Sequence, residues 1–211
     1  MVGLAVMLGM FAPKAMKAHP LLPQSNVDRA GRMGADALQE SPALKRFIES
    51  QPPDQVSAAI QAKTHAGLKR LSYEDLVVWN EVRLQLAAKS PQLCAGFWTG
   101  NGLTPQLLTG TLEQLPQDQS DAFFRTTMRA AVAEVEDRPF NAPPADAFGK
   151  ILPKLKQLHG PADNERLDKV LAGGVKVPDG EACWAMQLLM KDAAQLQRAD
   201  RETFLRFVAS L

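Results

Sequence analysis

At 211 residues, with 24 Lys plus Arg against 23 Asp plus Glu, the chain suits one domain or two small ones and can bury a substantial core. That balance excludes the basic excess that nucleic-acid binders gather on one face. Ala and Leu dominate while Ile48, Ile60, Ile151 and Tyr73 are the only residues of their types, which disfavours strands and favours helix.

The chain opens on an apolar run, Val2 to Ala12, followed by Lys14, Lys17 and a Pro-containing stretch up to Asn26. Such a run is shorter than the about 20 residues a bilayer span needs, and suits the hydrophobic region of an export signal. No Lys or Arg precedes it. Two readings stand: the end of a longer signal or anchor, or an apolar helix that packs on the domain or touches a membrane through residues 1–18. The basic spacer favours export. Residues 1–26 are therefore read as a separate N-terminal segment and linker, and 27–211 as a single helical domain. The expected location is the periplasm, free or anchored to the inner membrane, with the cytoplasm as the alternative.

Helix starts then recur. Ser41-Pro42 offers an N-cap and a first-turn proline for a short helix to Glu49, which Pro52-Pro53 breaks. A helix follows over 54–69, and Ser72-x-x-Asp75 resembles a capping box for another over 73–89. Ser90-Pro91 and Thr104-Pro105 repeat the cap-plus-proline device around Thr99-Gly100-Asn101-Gly102. Those glycines read as a helix–helix turn, because no Lys-Ser/Thr or strand supports a phosphate loop. Phe124, Met128, Val132 and Val135 share a face over 118–136; Phe148, Ile151, Leu152, Leu155 and Leu158 do so over 144–158, with Pro153 inside. His159-Gly160-Pro161 ends that helix. A short helix with Leu167, Val170 and Leu171 stops at Gly173-Gly174, a strongly apolar one runs over 178–196, and Asp200 is positioned to cap a last one carrying Phe204, Phe207 and Val208. The expectation is an all-α, irregular bundle of about nine helices with short Pro/Gly turns and no sheet.

Two helical wheels carry further information. Over 73–89 the polar arc is Glu74, Asp75, Glu81, Gln85 and Lys89, yet Asn80 and Arg83 fall within the opposite, apolar arc. An unpaired buried charge costs several kcal/mol, so Arg83 predicts a partner. Over 183–196 Asp192 lies among Leu188, Ala185 and Leu196, making it the acidic candidate. If the two segments pack antiparallel with Cys94 opposite Cys183, Arg83 and Asp192 fall about 3 Å apart along the axis. Asn80, Arg83 and Asp192 are thus the candidate buried polar cluster. The Ser90-Pro91 step is the weak point of that register. Cys94 and Cys183 are either two buried thiols or one disulfide; the disulfide agrees with export and with the shared register.

Catalytic chemistry has little support. GxSxG, HExxH and Walker signatures are absent, His19, His65 and His159 are scattered, and no metal or cofactor is expected. His159 reads as a helix-end residue, and Glu134, Glu136 and Asp137 as a solvated acidic run. Lys150, Lys154 and Lys156 read as the wet side of one helix. The first functional expectation is a non-enzymatic envelope protein that acts through another protein, as an inhibitor, immunity-type or accessory factor. The second is a helical carrier of an apolar small ligand, lined by Met128, Met186, Met190 and Trp184; the third is an enzyme with a dispersed site. Thiol titration of denatured, non-reduced protein checks the cysteine assignment: a bridged pair releases no free thiol, and two free thiols would refute it.

Overall fold

Helices form where the sequence combines an N-terminal cap with an apolar stripe, and their ends are decided by what each cap can reach. In the computed structural model, which describes residues 25–99, 104–140 and 142–210, the chain begins with α1 (Asn26–Glu40), α2 (Pro42–Glu49), α3 (Val56–Gly67) and α4 (Tyr73–Lys89). It continues through α5 (Pro91–Thr99), α6 (Pro105–Leu112), α7 (Gln117–Val135) and α8 (Ala147–Lys156). The last helices are α9 (Pro161–Gly173), α10 (Asp179–Asp192) and α11 (Arg198–Ala209). Single turns of 3-10 helix extend α3, α9 and α10. No strand forms among the described residues, so the fold is all-α, with eleven helices where about nine were expected. The apolar run Val2 to Ala12, most of the linker and the Gly100-Asn101-Gly102 turn lie outside the described residues.

The expected caps are made. The amide of Leu44 donates to Ser41 Oγ (3.2 Å), that of Asp75 to Ser72 Oγ (3.0 Å) and that of Leu107 to Thr104 Oγ1 (3.2 Å). Each pairs an N–H that its own helix leaves without an acceptor. The Ser72 box is only half formed, because Asp75 turns outward to Arg129 (2.6 Å). Asp200 does not cap α11. Gln197 holds that position without a side-chain bond, and Asp200 instead accepts from Lys154 (2.6 Å).

The main addition is α1. Its N-cap is Ser25, whose hydroxyl and Asp28 form a reciprocal capping box. What holds the helix is remote. Glu113 accepts from the amides of Asn26 and Val27 (both 3.0 Å), Asn26 Nδ2 donates to the Leu112 carbonyl (2.9 Å), and Arg29 pairs with Asp121. Gly31 and Gly34 weaken its intrinsic propensity, so these long-range bonds replace what local sequence does not provide.

Helix α7 is the spine. α1, α2, α3 and α4 pack around it, and it buries Phe123, Phe124, Thr126, Thr127, Ala130 and Ala131 on more than one side. α3 approaches so closely that a Cβ built on Gly67 would lie 1.8 Å from the Ala130 carbonyl oxygen. The rest of the core gathers α4, α5, α8, α9, α10 and α11 around Leu76, Leu155, Leu167, Met186, Phe204 and Leu205. Among the described residues no helix is long and apolar enough to cross a membrane.

The α3–α7 crossing yields a test. Gly67→Ala places a methyl on a backbone carbonyl that cannot rotate away, so it should destabilise by about 1–3 kcal/mol or more in urea unfolding. Gly31→Ala, where nothing lies within 4 Å of the added carbon, should be neutral or stabilising.

Candidate functional site

The residue before a proline is driven out of the α region, and Ser90 obeys this with φ −141° and ψ 110°. α4 therefore ends there and α5 leaves at a corner, with Ser90 Oγ accepting from the Leu93 amide (3.1 Å). α5 then packs on α10, and Cys94 and Cys183 form a disulfide with Cα atoms 5.0 Å apart. Gln187 Nε2 lies against both sulfurs, at 3.6 and 3.4 Å. The bridge joins positions 89 apart in sequence, for which loop closure in the unfolded chain suggests a stabilisation of about 4–5 kcal/mol.

Asn80, Arg83 and Asp192 are all buried, but they do not form one cluster. Asn80 Nδ2 reaches the Met190 carbonyl on α10 (3.5 Å), so α4 does face that end of α10. Asp192 is two residues further along, about 200° around the helix, and its side chain points elsewhere. It bonds to His159 at the α8–α9 corner. The expected Arg83–Asp192 ion pair is not made. The path from Arg83 to Cys94 is not one axis, because the chain turns a corner at Ser90.

Arg83 instead turns toward α5. Its guanidinium lies 4.3 Å from the Trp79 ring centroid and 4.7 Å from that of Phe97, and Nη2 donates to the Phe97 carbonyl (3.3 Å). No carboxylate pairs with it among the described residues, and Nη1 has no hydrogen-bond partner. With only 6% of its surface exposed, Arg83 is a desolvated cation. Burial pushes its pKa down to about 10, which still leaves it charged at neutral pH.

Arg83 lines a cavity of about 1050 Å³, partly open to solvent, to which α3, α4, α5, α7, α10 and α11 contribute. α4 and α5 contribute Trp79, Leu93 and Phe97; α10 contributes Met186, Leu189 and Met190; Phe123 comes from α7 and Phe204 from α11. The polar contribution is small: Gln61, Thr64 and His65 from α3, Thr99 and Thr127. Of the four residues expected to line such a cavity, Met186 and Met190 do. Met128 packs with α2 and α3 instead, and Trp184 lies under Arg166, 4.0 Å from its ring centroid. A single sequence showed two methionines of α10 on an apolar face. It could not show that Trp79, Phe123 and Phe204, on three separate helices, face the same space.

The other sequence candidates are occupied. Glu134 and Asp137 bind Arg70 (2.7 and 2.8 Å), and Glu136 accepts from Ser41 (2.8 Å), so the acidic run is an ion-pair network rather than a merely solvated stretch. Hydrogen bonding to Ser41 and Arg138 lowers the Glu136 pKa. Lys150, Lys154 and Lys156 pair with Asp146, Asp200 and Asp168. Among the described residues no cluster of His, Cys, Asp or Glu is placed to hold a metal ion. Compared with protein-family models, curated proteins and solved structures, the chain matches none.

Double-mutant cycles separate the two possible partners of Asp192. Arg83→Ala with Asp192→Ala should be additive within about 0.5 kcal/mol, whereas His159→Ala with Asp192→Ala should show a coupling of about 0.5–3 kcal/mol in urea unfolding.

Proposed function

We propose that this is an extracytoplasmic helical binding protein whose inter-helix cavity takes an apolar small ligand. The observation that carries the reading is the cavity, about 1050 Å³ and walled mainly by aromatic, Leu and Met side chains. Small-molecule sites are concave and mostly apolar, with a few polar groups that set orientation, and they commonly lie between helices of bundles. Here those groups are Arg83, Thr127 and the polar side chains of α3. Met186 and Met190 add adaptable walls, since an unbranched thioether repacks around ligands of different shape.

The Cys94–Cys183 bridge supports a compartment outside the cytoplasm, free or membrane-anchored, because such bonds persist under oxidising conditions. Action through a protein partner has less to stand on. Among the described residues the exposed large hydrophobics are Phe140 and Leu158, and Phe140 lies beneath Lys69 and Arg70, 4.9 and 5.3 Å from its ring centroid. Two isolated side chains do not make the continuous apolar patch that marks an interface.

Titration with the neutral probe N-phenyl-1-naphthylamine should give a saturable, one-site rise in fluorescence. Met186→Trp, which fills the cavity, should weaken binding by about tenfold or more while the helical circular dichroism is unchanged. Unsaturable binding, or binding untouched by the filled cavity, would refute the reading.

A further inference from the structure

We propose that the ligand is a single-chain amphiphile with a monoanionic carboxylate head seated on Arg83, an inference that rests on the cavity being a ligand site. Arg83 is the observation that an apolar pocket alone does not explain. A buried guanidinium normally stands beside a carboxylate, because an uncompensated buried charge is strongly destabilising. Here one terminal nitrogen is committed to the Phe97 carbonyl and the other, Nη1, has no acceptor. The Trp79 and Phe97 rings hold the guanidinium plane, which keeps it oriented without neutralising it. A carboxylate oxygen is the acceptor that would supply both the missing hydrogen bond and the counter-charge.

The wall of the cavity sets the rest of the chemistry. Among the described residues no Asp or Glu lines it, and the ionisable ones that do are Arg83 and an exposed His65 on α3. One buried cation matches one negative charge, whereas a phosphate dianion would bring a second charge into an apolar site. From Arg83 the partly exposed surfaces of Phe97, Trp98, Phe148 and Phe207 are available to a flexible hydrocarbon chain. Burial there is favourable for every methylene and needs no directional contact. Head and tail thus find separate, complementary surfaces in one cavity.

Isothermal titration of the full chain, disulfide intact, with dodecanoate, dodecanol and dodecyl phosphate tests the assignment. Dodecanoate should bind about tenfold or more tightly than dodecanol, and no more weakly than dodecyl phosphate. Arg83→Met should bring dodecanoate to the level of dodecanol. Equal binding of acid and alcohol by the unmodified chain, tighter binding of the phosphate, or a preference that survives Arg83→Met would overturn the inference. If the alcohol and the naphthylamine bind but the acid has no advantage, only the head group is wrong. If none of them binds, the ligand-site reading itself fails. Should Arg83→Met not fold, the unmodified chain still decides: its preference for the acid over the alcohol must fade as pH falls through the carboxylate range, about 4–5.

Discussion

The break between α4 and α5 is the constraint on which the interior depends. Ser90 cannot be helical because Pro91 follows it, and Pro91 has no amide to continue the ladder of α4. α4 and α5 therefore face the interior from two directions. α5 carries Cys94 to α10, where the disulfide fixes the contact, while α4 carries Asn80 toward Met190 and Arg83 back toward Phe97. These helices, with α3, α7 and α11, line the cavity, which is partly open to solvent. Were the chain from Tyr73 to Trp98 a single rod, Arg83 and Phe97, nearly four turns apart, could not meet.

The buried charge follows from that geometry. Arg83 loses hydration and gains two aromatic faces and one carbonyl, which leaves it less compensated than a paired arginine such as Arg70. Arg70 bridges Glu134 and Asp137, and hydrogen bonding to Glu134 raises its pKa, while desolvation lowers that of Arg83. The two arginines show the same side chain in opposite settings, one closing a corner of the fold and one standing at the wall of a cavity. For Arg83 the sign of the linkage is definite. A base with a depressed folded pKa destabilises the fold while it is charged, and stability is regained as pH rises from about 10 toward the unfolded value.

Elsewhere the bundle is organised by contacts that skip along the chain. Arg206 donates to the carbonyls of Lys69 and Leu71 (3.1 and 3.2 Å), pinning α11 to the turn between α3 and α4. Glu113 takes the first amides of α1, and Ser41 ties the start of α2 to the end of α7 through Glu136. α7 itself ends with Asp137 in the left-handed region, φ 49°, a position where glycine is usual, and the same residue reaches Arg70. These bonds place loop residues that packing alone would leave free to choose among several arrangements.

The sequence by itself determined the helical class, most helix boundaries to within a few residues, and the caps at Ser41, Ser72 and Thr104, because capping and apolar periodicity are local and act through neighbouring residues. It also marked Asn80, Arg83 and Asp192 as polar residues on apolar faces, and all three are buried. Only the tertiary structure decided their partners. Asp192 chose His159, 33 positions away, Arg83 chose two rings and a carbonyl, and α1 was stabilised by Glu113 and Asp121, more than eighty positions downstream. The reason is that a wheel gives the direction of a side chain about its own axis. The meeting of two axes depends on the angle taken at each corner, and at Ser90 that angle redirected the chain from the straight path on which an Arg83–Asp192 pair would rest.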